Sequence, residues 1–185
     1  MLNSAVEYIM QKIGDFRPEV GIILGSGLGE FADEFCKISI DYKDIPGFEA
    51  STVAGHKGRL VFAEINGKNV VMMQGRFHYY EGYSIQKVVF PIKVMKKLGI
   101  ETLIITNAAG GVNASFNPSD LMIITDHINY MGTNPLIGPN DNSMGERFPD
   151  MSEVYTPELI ELVKKAGREV GIELQDGVYM AFTGP

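Results

Sequence analysis

Four short apolar runs rich in β-branched residues, each ending in a cluster of small or polar residues, constrain this chain more than any other feature. They are residues 20–24 (VGIIL) before GSGLG, 69–73 (NVVMM) before QGRFHYY, 102–106 (TLIIT) before NAAGGVN, and 121–125 (LMIIT) before DHIN. Unbroken apolar runs, unlike alternating ones, mark strands covered on both faces. Such strands need helices to cover them, and helix signals lie between the runs. Leu2, Ala5, Val6, Ile9, Met10 and Ile13 recur at helical spacing, with Asn3 or Ser4 as the cap and Gly14 past the end. A short helix is expected over 30–35. Ile85, Val88, Val89, Ile92, Met95 and Leu98 outline another, opened by Ser84, closed by Gly99 and kinked at Pro91. A further helix spans 156–170, with Thr156 as N-cap, Pro157 at its first position and Gly171 beyond it. Residues 177–182 read as a last strand. Residues 59–65 (RLVFAEI), then Asn66-Gly67 and another strand, spell a hairpin, so the sheet is mixed. The class is α/β.

At 185 residues the chain suits one domain, and no linker, low-complexity tract or solenoid repeat divides it. The net charge of −7 argues against a nucleic-acid partner, which would need a basic footprint. No run approaches the ~20 apolar residues of a membrane span. The N-terminus lacks a signal-peptide pattern, and the single cysteine, Cys36, excludes a disulfide framework and fits a cytoplasmic location. With three histidines and one cysteine at no ligand spacing, no metal site is expected.

In open α/β sheets ligands sit beyond the carboxyl ends of strands, where all four clusters fall, so one convergent site is expected. Residues 25–29 (GSGLG) suit either a tight strand-to-helix turn or a cradle of backbone N–H groups for an anion. They match neither the dinucleotide fingerprint, because residue 30 is Glu, nor a P-loop, because no Lys follows the last glycine. Arg76, His78, Tyr80 and Glu81 fall within six residues directly after a strand. An Arg there can grip a phosphate through two charge-assisted N–H bonds worth ~1.5–3 kcal/mol each, and a His can donate to it or carry a proton. The alternative is a solvated surface loop. Residues 55–59 (GHKGR) set His56 beside two cations in a turn, and residues 107–113 (NAAGGVN) offer free amides with little side chain above them. Asp126-His127 reads as a catalytic pair or as a cap and turn.

Taken in order, GSGLG, GHKGRL, GRFHYYEGY, TNAAGGVN, DHINYMGTNPLIGPND and ERFPDMS closely resemble the trimeric purine nucleoside phosphorylases over essentially the whole chain. The related methylthioadenosine phosphorylases are less similar in GRFHYYEGY and in GPND…ERFPDMS. The resemblance implies a three-layer α/β/α fold around a central mixed sheet, a homotrimer, and a cytoplasmic transferase of purine salvage with no cofactor. Its implied reaction joins inorganic phosphate to the sugar of a purine ribo- or deoxyribonucleoside of the inosine or guanosine type. The products are free base and (deoxy)ribose 1-phosphate. Carried over residue by residue, Ser26, His56, Arg76, His78 and the backbone amide of Ala108 are the implied phosphate ligands, with Arg76 and His78 the catalytic groups. Asn107 shapes the same pocket, Tyr80 and Tyr179 stand on the ribose side, and Phe148 covers the site of a neighbouring subunit.

In that family the residues matching Thr183, Gly184 and Pro185 run on into Ser-Phe-Glu and a further C-terminal part. That part carries the Glu that grips the purine, a later Asn, a second phosphate-binding Ser and a His near the ribose 5′ end. The 185 residues are therefore expected to be one phosphorylase domain lacking its C-terminal third, weak or inactive alone. A methylthioadenosine or xanthosine phosphorylase remains an alternative on the same scaffold, decided by residues past Pro185. A non-catalytic phosphate-binding fragment is another. A dinucleotide-binding module rests on the glycine loop alone and predicts stabilisation by NAD.

Overall fold

The first three apolar runs lie side by side in one sheet of the computed structural model, which describes residues 1–49 and 57–184. The strands are β1 (Val20–Leu24), β2 (Ile38–Asp41), β3 (Arg59–Ile65), β4 (Lys68–Gln74) and β5 (Thr102–Ile105), in spatial order β2-β3-β4-β1-β5. β1 runs parallel to both β4 and β5, with Ile22 opposite Met72 on one side and Ile104 on the other. The carboxyl ends of these three strands therefore share one edge. β2, β3 and β4 pair antiparallel, so the sheet is mixed as expected. Asn66 (φ 50°) and Gly67 (φ 76°) close the β3–β4 hairpin in the left-handed conformation that a two-residue turn requires.

Helices α1 (Leu2–Ile13), α2 (Gly29–Phe35), α3 (Ile85–Val88) and α4 (Phe90–Leu98) cover this sheet. Alternation along the central strands explains why their apolar runs are continuous. Leu60, Phe62, Val71 and Met73 pack with Ala5, Ile9, Val94, Met95 and Leu98 of α1 and α4. Val61, Ala63, Val70 and Met72 pack on the opposite face with Ala32 and Phe35 of α2. Each such side chain stabilises the fold by ~1.5–3 kcal/mol relative to exposure. The result is the three-layer α/β/α arrangement.

Two helix expectations change. α1 begins one residue earlier than its polar candidates, with Met1 at the N-cap, so Asn3 and Ser4 lie inside the helix. The single kinked helix over 85–98 is two helices broken at Val89 (φ −90°, ψ −4°). Pro91 stands in the first turn of α4, where a missing N–H has no partner to lose.

Residues Met1–Ala108 form one compact unit and Ala109–Pro185 another. The second unit holds β6 (Leu121–Asn129) and β7 (Leu174–Ala181), paired in parallel, and α5 (Pro157–Glu169) with Thr156 at its N-cap. The fourth apolar run does not end at Thr125. A bulge between Ile124 and Asp126 lets the strand continue through Asp126 and His127 to Asn129, so that cluster is strand and not loop. Among the described residues no helix is long and apolar enough to cross a membrane.

Candidate functional site

The carboxyl ends of β1, β4 and β5 are stitched together at Thr106. Its hydroxyl accepts from the Gly25 N–H at 2.8 Å and donates to the Ile23 carbonyl at 2.9 Å. Its carbonyl accepts from Arg76 Nη1 at 2.8 Å. Gly25 is tied to this arrangement by its lack of a side chain, because a Cβ there would lie 2.8 Å from the Thr106 carbonyl oxygen and 3.1 Å from the Asn107 Cα. Three of the four polar clusters thus meet, and the glycine loop lies directly against the backbone that leads to Asn107 and Ala108. Asn107 Nδ2 donates to the Ala108 carbonyl at 3.3 Å. Ser26 is exposed on the loop, and among the described residues no hydrogen bond occupies its hydroxyl.

β4 ends at the buried Gln74, and the chain then enters the Arg76–His78 segment under tight control. The buried Tyr42 hydroxyl donates to the Gly75 carbonyl at 2.6 Å, and burial pushes the Tyr42 phenol far above its ordinary pKa. Phe77, 3% exposed, packs edge-on against Tyr42, Phe48 and Tyr83. With Phe77 locked in the core, its neighbours Arg76 and His78 are held half-buried at the strand end. His78 Nδ1 bonds Glu81 Oε1 at 2.6 Å, and the His78 backbone N–H donates to the same oxygen at 2.9 Å. Arg76 Nε donates to His78 Nε2 at 3.2 Å. These partners assign the tautomer: a proton on Nδ1 facing the carboxylate, and a lone pair on Nε2. Tyr80 stacks on the His78 ring, centroids 4.8 Å apart, while remaining exposed.

Lys57 and Arg59, read from sequence as loop cations, both turn to Asp33 on α2, at 2.8 Å and 2.5 Å. The Lys57 ammonium first, then the Gln74 amide, hold the Asp33 carboxyl below the usual carboxylate range. His56 lies outside the described residues. In the second unit, Tyr179 is half-buried on β7, opposite His127 on β6. Tyr155 sits 3.4 Å from His127 Nδ1, its phenol raised chiefly by burial and then by Asp126 and Tyr179. Phe148 is 84% exposed, with the Arg147 guanidinium 5.8 Å from its ring centre.

The structure therefore gathers the Ser26 loop, Arg76, His78, Tyr80, Asn107 and Ala108 in the first unit, while Tyr179 and Phe148 belong to the second. Sequence reasoning missed Gln74 and Thr106, the latter read only as the last residue of a strand, and named Glu81 without a role. A hydroxyl closing an apolar run beside a glycine-rich strand end was the one available signal.

Residues 19–185 match the family model described as the phosphorylase superfamily. The purine nucleoside phosphorylase 1 of Geobacillus stearothermophilus is 57% identical over the whole chain. The chain belongs to the purine nucleoside phosphorylase family. That of Bacillus subtilis is 55% identical over the whole chain, and the mouse purine nucleoside phosphorylase is 50% identical over 99% of it. The chain spans 67%, 68% and 65% of these three phosphorylases. A crystal structure of isoform 2 of the Schistosoma mansoni enzyme, in complex with cytosine and ribose-1-phosphate, superposes with a TM-score of 0.92 at 43% identity. It is matched by all of this chain, which covers 66% of it. A second phosphorylase structure, in complex with ribose-1-phosphate, gives the same TM-score with 70% of its length covered.

Proposed function

We propose that the protein to which these residues belong is a purine nucleoside phosphorylase, and that the first unit supplies the phosphate side of its site. The observation that carries this reading is the meeting of Arg76, His78 and the Gly25 loop at Thr106, on the shared edge of three parallel strand ends. Arg76 donates to phosphate oxygens. His78 serves through Nε2, exchanging the bond it accepts from Arg76 Nε for the proton of hydrogen phosphate, while Glu81 holds Nδ1–H. The Ser26 hydroxyl and the Ala108 amide supply further donors, and His56 completes the set from its own segment.

In the reaction, the bond from the anomeric carbon to the purine nitrogen breaks with its electron pair going to the base, which takes up a proton. Positive charge develops on the sugar, and a phosphate oxygen then bonds to the anomeric carbon. A phosphate already fixed beneath that carbon stabilises the cation and captures it, and orientation of this kind lowers a barrier by ~7–11 kcal/mol. No enzyme nucleophile and no cofactor is needed. Tyr80, Asn107 and Tyr179 serve the nucleoside side in this account. The two units act as one phosphorylase domain, and the assembly is a homotrimer in the cytoplasm, serving purine salvage. The exposure of Phe148 supports its use by a neighbouring subunit.

Inosine turnover tests the proposal. Hypoxanthine release by the purified chain is expected only with phosphate, with ribose 1-phosphate formed in equal amount, and light scattering is expected to give a trimer. Because these residues span 67% of the Geobacillus phosphorylase, their rate alone is expected to fall well below that of the Geobacillus relative. Free ribose appearing in phosphate-free buffer would overturn phosphorolysis.

A further inference from the structure

Both cations of the GHKGR stretch are engaged, and what they hold is informative. Asp33 accepts from Lys57 Nζ on one oxygen and from Arg59 Nη2 on the other. Arg59 Nε then donates to Gln74 Oε1 at 2.6 Å. Gln74, 2% exposed, donates its amide nitrogen to the Gly29 carbonyl at 2.6 Å. Its orientation follows from these bonds, since a flipped amide would set N–H against guanidinium and carbonyl against carbonyl.

The connectivity matters more than any single bond. Gly29 is the last residue of the GSGLG loop that carries Ser26, and Asp33 lies one helical turn further on. Lys57 and Arg59 follow His56 by one and three residues. Gln74 precedes Arg76 by two. One buried amide and one carboxylate thus tie the glycine loop and the entrance to β3 to the end of β4.

We propose that Gln74, Arg59, Lys57 and Asp33 form a positioning clamp that sets the Ser26 loop against the Arg76 end of β4 for phosphate binding. None of the four touches phosphate in this account; they act through the residues they hold. The inference rests on the phosphate reading of Ser26 and Arg76. It goes beyond that reading by giving the two cations of the GHKGR stretch, Lys57 and Arg59, an anchoring role that involves no contact with the anion.

The test measures inorganic phosphate affinity calorimetrically on the 185-residue chain and on Asp33→Ala, Asp33→Asn and Gln74→Met, with a thermal melt of each. Asp33→Ala removes a surface carboxylate, so it keeps the fold even if Gln74→Met does not. Its phosphate affinity is expected to fall on the order of tenfold, the usual range for groups that orient direct ligands. Asp33→Asn retains an acceptor for Arg59 and is expected to recover most of the loss. A merely structural clamp would lower melting temperatures and leave the affinity of the folded protein unchanged, which would overturn the proposal. A wild-type chain that binds no phosphate would overturn the phosphate reading and the clamp together.

Discussion

Asp33 is the residue whose ionisation most directly reports on the organisation of the site. Its carboxyl is held below its ordinary value by Lys57, Gln74 and Arg59, so the folded state favours the ionised form. A depressed carboxylate contributes stability at every pH above its unfolded value of about 4, and that contribution is lost as pH falls through the lower folded value. Wild type is therefore expected to lose melting temperature more steeply than Asp33→Asn below about pH 4, since the amide has nothing to protonate. Parallel curves would mean that Asp33 is not engaged as described. The sequence could show that Lys57 and Arg59 were cations in a turn, but not whose. Their partner lies 24 and 26 residues away on a short helix in which the sequence singled out no functional residue. Arg76 and His78 were legible because they stand together directly after an apolar strand. Thr106 was not, because its importance depends on which strand lies beside it.

At the level of elements, burial on both faces made the central strands readable, and short or interrupted elements escaped. β2 (ISID) alternates apolar and polar residues over only four positions at the edge of the sheet, leaving no apolar run to find. β6 extends through Asp126 and His127 because a bulge at Thr125 absorbs the change in pattern, where sequence suggested a loop. Pro91 marked a break but not its form, since a proline starts a helix as readily as it bends one. The Asn66-Gly67 turn allows a clean test of element-level reasoning. Gly67 has φ 76° and nothing within 4 Å of where a Cβ would sit, so any cost of Gly67→Ala is conformational and not steric. The expected loss of folding stability is ~1–2 kcal/mol, measured by denaturant unfolding, with no change in phosphate affinity. A neutral result would show that the hairpin relaxes to another turn type.

For the whole molecule, the division of labour is the central point. The first unit places three polar clusters at one sheet edge and packs two apolar cores against that sheet, one on each face. The order of motifs along the chain was enough to identify the family, because long strings such as GRFHYYEGY encode a strand end, a core aromatic and two ligands in one stretch. The motif order did not reveal the clamp behind those ligands, which depends on side chains brought together from α2, β4 and the entrance to β3. The measurement that bears most directly on the account is a phosphate titration of the 185-residue chain beside its Arg76→Ala variant. Wild type is expected to bind one phosphate saturably, and the variant to lose on the order of tenfold or more in affinity, as removal of a charge-assisted bond worth ~1.5–3 kcal/mol requires, while melting as wild type does. Equal affinity in the two proteins would remove Arg76 from the site and contradict the account.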